Sequence, residues 1–272
     1  MLKSSLLFRA AVWLYLVTVS TYTHAQDAED FWILTNPEPP FVMVNDKRQM
    51  DGYLIDVIYG ITHVAGINQR ILAAPWQRVE LEARSKSNVL AFALARTPER
   101  EDRYHWITPL TANVYSVFSA IGEKDQFSGL SQLSALPSIA VLENDARHKI
   151  LIQAKYPAIH AFATWSQAIE SVTSGKSAAI FFSDPGMSYF CTTLGKDCNA
   201  LKRVFMYRKI VSYLTMSKVE SNPVLVDTLT KAAEEFKQSS QFNDTVAKWL
   251  DIYQSQPIAM HMDNGVMNLW QQ

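Results

Sequence analysis

The chain has 272 residues, with 25 basic and 26 acidic side chains, 48% hydrophobic residues and 11% aromatics. That is enough for two compact domains, or one large one, around a sizeable core. The near-neutral charge excludes a nucleic-acid surface, which needs a basic excess.

Residues 1–25 read as a secretory signal. Lys3 and Arg9 supply the positive start, 10–19 are apolar, and Thr23-His24-Ala25 puts small residues where a signal peptidase cuts, before Gln26. The apolar stretch is shorter than the roughly 20 residues of a membrane-spanning helix. With no Cys beside the cut, no lipid anchor is expected. Cleavage takes 272 residues to 247 and the basic count from 25 to 23, for a net charge of −3. The expected destination is the periplasm, and no later stretch reads as a membrane span.

Short β-rich runs then alternate with helical patterns. Residues 31–35 read as a buried strand ended by Pro37, Pro39 and Pro40. Leu54, Ile58, Ile61 and Ala65 recur at helical spacing, with Gly66 suited to the cap. A strand at 70–73, a helix at 78–84 and a buried strand at 89–94 follow. Such alternation points to an α/β fold with parallel strands. Residues 114–120 lead out as a strand. A second unit of the same kind begins at 139–142, with a helix from Asn144 or Asp145 to Tyr156. It continues with strands at 159–162 and 178–182 around a helix marked by Trp165, Ile169 and Val172. Asp184-Pro185 opens another helix. After a strand at 210–216, Asn222-Pro223 caps a helix carrying Leu225, Leu229, Ala232, Ala233 and Phe236 on one face. Val246, Trp249, Leu250 and Tyr253 form a further face, and 254–272 show no period.

Cys191 and Cys198 are the only cysteines. In an oxidising compartment this close, even pair reads as one disulfide, worth roughly 2–3 kcal/mol on a chain-entropy estimate. The five histidines of the mature chain are scattered without ligand spacing, so neither metal nor cofactor is expected.

The most informative stretch for chemistry is Ala95-Arg96-Thr97-Pro98-Glu99-Arg100, at the end of a buried strand. Thr97 suits an N-cap and Pro98 the first helical position. The free N–H groups of that turn attract an anion, and the Arg100 guanidinium can hold a carboxylate through two hydrogen bonds. The alternative is a capped surface turn whose Arg pairs with Glu99 or Glu101.

Pro40-Phe41, Gly52 with Asp56, Pro75-Trp76, Thr97-Pro98-Glu99-Arg100 and Trp106-Ile107-Thr108-Pro109 occur in one order. With residues 213–218 and Lys248-Trp249, this set resembles the family-3 extracellular solute-binding proteins, the group that includes polar amino-acid receptors of ABC importers. The resemblance covers most of the mature chain. It implies a type II-like periplasmic-binding fold: two α/β lobes joined by two hinge strands, with 26–117 and 211–272 in lobe 1 and 118–210 in lobe 2. It implies a monomer that captures a small polar ligand by lobe closure and delivers it to an inner-membrane ABC permease. In its terms Arg100 holds a ligand carboxylate, Trp76 packs on the ligand, and Asp184 of lobe 2 holds an ammonium. Thr97 and Arg96 flank that site. Trp76 read alone also fits a core, Asp184 a helix cap, and Phe41 either a cleft wall or a core. Arg147 can meet a carboxylate or lie solvated.

This sequence carries Ala95 where amino-acid receptors place a hydroxyl, and Arg96 is an added charge. Both point away from a simple α-amino acid towards a more acidic or larger ligand. A sensor subunit is the competing reading. An enzyme such as a dehydratase would use Asp184 or Glu38 as its acid or base. No hydrolase elbow, zinc helix or phosphate loop occurs.

Overall fold

A computed structural model describes residues 31–45, 47–192, 194–254 and 259–269. The expected signal at 1–25 and its cleavage point lie outside them. The first half runs β1 (Trp32–Thr35), β2 (Met43–Val44), β3 (Met50–Asp51), α1 (Tyr53–Val64), β4 (Ile71–Ala73), α2 (Trp76–Ser85) and β5 (Val89–Ala95). The long strand β6 (Tyr104–Ser119) follows. Next come β7 (Ile139–Leu142), α3 (Ala146–Gln153), β8 (Ile159–Phe162), α4 (Trp165–Thr173), β9 (Ala179–Ser183) and α5 (Asp184–Thr192). A second long strand, β10 (Lys202–Ser217), precedes α6 (Pro223–Gln238), α7 (Ser240–Gln254) and the hairpin β11 (His261–Asp263) and β12 (Val266–Leu269).

The main sheet has the order β4-β1-β5-β10-β6-β9-β7-β8. The strands β4, β1 and β5 are mutually parallel, as are β8, β7 and β9, each set joined through helices. Between the two sets run β6 and β10, paired antiparallel along their length. One end of this ribbon carries β5 and β12, and the other carries β9. The outcome is the two-lobed α/β fold with two shared strands. The expected boundaries after 117 and 210 fall inside these strands.

Both crossing strands are longer than 114–120 and 210–216. Pro109 lacks the N–H that a ladder needs, so it argues against a strand at that point. The pairing absorbs it by leaving Leu110 and Ile107 of β6 unopposed on either side of Pro109 and Thr108, which face Tyr213 and Leu214. The helix expected over 144–156 is shorter, because Lys155 takes a left-handed φ of 55°. Tyr156 instead sends its hydroxyl to the Leu136 carbonyl at 2.5 Å. The tail at 254–272, aperiodic by sequence, contributes β12, which pairs with Thr111–Asn113 of β6.

The resemblance motifs outside the cleft form one structural knot. Gly52 at φ 123° lies so close to the Phe41 carbonyl that a Cβ would stand 2.3 Å from its oxygen. Asp56 accepts from Lys248 Nζ and Trp249 Nε1, both at 2.7 Å, and Tyr253 donates to the Pro40 carbonyl at 2.8 Å. The core here gathers Phe41, Leu54, Ile58, Phe92, Phe236 and Trp249. A second core runs across both halves, joining Trp76, Val79 and Tyr104 with Trp165, Ile169 and Phe182. Among the described residues no helix is long and apolar enough to cross a membrane.

Candidate functional site

Strand β5 ends at Ala95, and a 3₁₀ turn over Pro98–Arg103 follows with extended Thr97 at its cap. This turn aims Arg100 inward, where it is only 2% exposed. Its Nη1 donates to the Ala95 carbonyl at 3.3 Å, and its guanidinium lies 5.5 Å from the Trp76 ring centre. Its Nη2 stands 3.9 Å from Glu80 of α2 and has no hydrogen-bond partner. A buried guanidinium with an unmatched N–H is costly, and an incoming acceptor would remove that cost. Trp76 Nε1 is likewise buried and unmatched.

The start of α3 faces this turn. Asp145 caps α3 by accepting from the Arg147 backbone N–H at 2.8 Å, and it takes Nε and Nη2 of Arg147 at 2.5 and 3.0 Å. The other side of the same guanidinium reaches Glu38, in the loop after β1, at 3.1 and 3.3 Å. Arg147 is therefore fully buried rather than solvated, because two carboxylates and two rings replace its water. Two residues on, Lys149 donates to Glu80 at 2.6 Å. Two ion pairs thus link loop and helix positions of the first half to α3 of the second.

Burial pushes the Glu38 carboxyl above its ordinary range, opposed by Arg147. Burial also works to raise Asp145, but Arg147 overrides it and holds Asp145 below the usual carboxylate range. Burial lowers Lys149, opposed by its hydrogen bond to Glu80.

Between the turn and α3 lies a cavity of about 530 Å³. Arg84, Arg100, Arg103, Lys149 and Arg208 line it with Thr97 and Gln153, and Glu99 is the single acid on its wall. The lining is built to take negative charge. Thr97 and Arg100 line this cavity, whereas Trp76 does not and meets it only through its ring beside Arg100.

The other sequence-derived positions lie elsewhere. Phe41 is in the first-half core. Arg96 is partly exposed, chelates Glu101 and stacks on Trp106 and Tyr213 at 5.1 Å each. Glu101 thus pairs with Arg96 rather than Arg100. Asp184 opens α5, pairs with Arg203 at 3.1 Å and lines a separate cavity with Cys191 and Cys198. Burial raises its carboxyl. Cys191 and Cys198 are joined as a disulfide. Sequence reasoning did not find Glu80, Asp145, Lys149, Tyr115 or Trp165. The pattern Asp145-x-Arg147 signals a cap, but nothing local signals partners 109 residues away, as Glu38 is from Arg147.

The sequence matches the model of the bacterial extracellular solute-binding proteins, family 3, over residues 32–252. Similar solved structures include a histidine kinase sensor domain with similarity to periplasmic binding proteins, at 15% identity and TM-score 0.69 over 83% of this chain and 98% of that one. The arginine-, lysine-, histidine-binding protein ArtJ from Geobacillus stearothermophilus matches at 15% identity and TM-score 0.65, over 82% and 96% of the two chains. The ancestral amino acid-binding protein AncCDT-1, a precursor of cyclohexadienyl dehydratase, matches at 16% identity and TM-score 0.66, over 80% and 94%. At such identities the likeness is one of fold. Among curated proteins none matches the sequence significantly.

Proposed function

Because the chain belongs to the bacterial extracellular solute-binding proteins of family 3, we propose that it captures a small carboxylate-bearing ligand in the periplasm and hands it to an ABC permease. Lobe 1 would comprise 26–117 and 211–272, and lobe 2 would comprise 118–210, with the ligand between them. The single observation that carries this reading is Arg100, buried beside a cationic cavity with an unmatched Nη2. A ligand carboxylate would take that N–H, the other cations would add long-range attraction, and Thr97 and Trp76 would wall the site. Ligand contacts from both lobes would favour the closed arrangement.

The cavity favours acids over simple amino acids. Five cationic side chains face one acid, whereas a zwitterion also needs an unpaired carboxylate for its ammonium. Asp184, the residue expected for that role, gives Oδ2 to Arg203 and lines a separate cavity rather than this one. The same pairing counts against an enzyme: Glu38 and Asp184, the two candidate acids or bases, are both bound to arginines. The likeness to a kinase sensor domain supports a second reading, in which the same closure is reported to a receptor.

Thermal-shift and calorimetric titration of the exported protein against dicarboxylates, amino acids and polyamines is the test. Dicarboxylates should bind and polyamines should not. Binding of polyamines alone refutes the proposal. Ligand-dependent uptake that needs a permease separates transport from sensing.

A further inference from the structure

One guanidinium buried between the two halves is the chain's own. Arg147 has no exposed surface. Its Nε and Nη2 edge is chelated by Asp145, and its Nη1 and Nη2 edge by Glu38. The faces of the guanidinium are covered as well. Its carbon lies 4.2 Å from the Tyr115 ring centre and 4.3 Å from that of Trp165. These four cage residues come from four elements: the loop after β1, the cap of α3, strand β6 and the start of α4. Planar faces stacked on rings and two edges on carboxylates are the geometry that suits guanidinium and not ammonium. Without Arg147 the cage would hold two buried carboxylates and no cation.

We propose that Glu38, Asp145, Tyr115 and Trp165 form a guanidinium-binding site that is filled from within the chain by Arg147, so that Arg147 is the residue that turns free cationic ligands away. This deepens the functional reading above and rests on it, since it assumes that the cleft is the ligand site. A tethered occupant competes at an effective concentration of about millimolar or more. A free guanidinium compound would also have to strip a buried charge held by four hydrogen bonds, leaving that charge unpaired. With Arg147 seated, the positive charge remaining around the adjoining cavity selects anions. Cation exclusion and anion preference then have one structural origin.

The test uses the whole exported protein, with methylguanidinium and L-arginine as probes and methylammonium as control. The wild type should show no calorimetric binding and no thermal shift with any of them. Arg147→Ala should gain methylguanidinium binding, with methylammonium bound at least about tenfold more weakly because it cannot bridge both carboxylates. Adding Glu38→Gln to Arg147→Ala should weaken methylguanidinium binding by about tenfold or more. If Arg147→Ala does not fold unaided, low-millimolar methylguanidinium present during refolding should recover it, and that recovery is itself the readout. Two outcomes overturn the proposal: L-arginine binding by the wild type, or an Arg147→Ala protein neither bound nor recovered by methylguanidinium. Dicarboxylate titration of the wild type keeps the two readings apart. Intact rescue without dicarboxylate binding sinks the functional reading alone, and dicarboxylate binding without rescue sinks this one alone.

Discussion

Replacing Arg100 by Ala separates a ligand anchor from a structural arginine, because the structure assigns the two roles different costs. Within the protein the Arg100 side chain donates to the Ala95 carbonyl at 3.3 Å and makes a 3.9 Å contact to Glu80. Glu80 keeps Lys149 at 2.6 Å, so the substitution leaves no carboxylate alone. The cost to folding should therefore be no more than about 1.5–3 kcal/mol, the scale of one hydrogen bond to a charged group. A ligand carboxylate seated on Arg100 would lose its buried partner, which typically costs about 2–5 kcal/mol. Affinity should then fall roughly 30-fold or more, since about 1.4 kcal/mol is tenfold. Arg100→Lys should recover only part, because an ammonium cannot present two parallel N–H groups. Calorimetric titration with the best dicarboxylate, alongside thermal melts of each variant, gives both quantities. A folded Arg100→Ala that binds within about threefold of the wild type, about 0.7 kcal/mol, refutes the assignment.

Two further substitutions test the packing. Burial pushes Lys237 down to about 8, and its Nζ donates to the Pro109 carbonyl. With the folded value below that of the unfolded chain, the charged form is disfavoured in the fold; the penalty is full below about pH 8 and fades as pH rises towards about 10.4. Lys237→Met should stabilise by about 1–3 kcal/mol at neutral pH and by less near pH 10, and urea melts giving a pH-independent gain would contradict this. Gly60 lies in α1 where a Cβ would stand 2.2 Å from the Phe236 ring. Free of that contact, Ala should stabilise a helix by about 1 kcal/mol. Gly60→Ala should instead destabilise by about 1–3 kcal/mol, with Phe236→Leu relieving part of the loss in a double-mutant cycle.

Most of the architecture was legible because it is written in local periodicity. The stripe Leu54, Ile58 and Ile61 with Gly66 behind it marks α1, and Asn222-Pro223 marks the start of α6, through caps and spacings that act within a few residues. The terminal hairpin was legible too but was missed. Asn264-Gly265 takes φ values of 48° and 70°, as a two-residue hairpin turn requires. Its strands are short and lack a clear alternation, which hides them from periodicity.

The residues of the cleft divide the same way. Thr97, Pro98 and Arg100 stand on a turn that their own chemistry dictates, so the sequence by itself determined that a guanidinium follows the end of β5. It also determined the two α/β units and the pairing of Cys191 with Cys198, while the crossing of the two long strands was implied by the family resemblance. Which arginine is buried and free, and which is buried and spent, only the tertiary structure decided. Arg96, Arg100 and Arg147 are chemically alike, and each lies near an acid in sequence. Their fates differ because Glu101 captures Arg96 at the surface, Glu80 is drawn to Lys149, and Glu38 is brought to Arg147 from 109 residues away. The free energy of a charge depends on the partners and solvent within a few ångströms of it. The distant neighbours, Glu38 for Arg147 and Glu80 for Lys149, are set by how the loop after β1, α2 and α3 meet, and no window of sequence contains them.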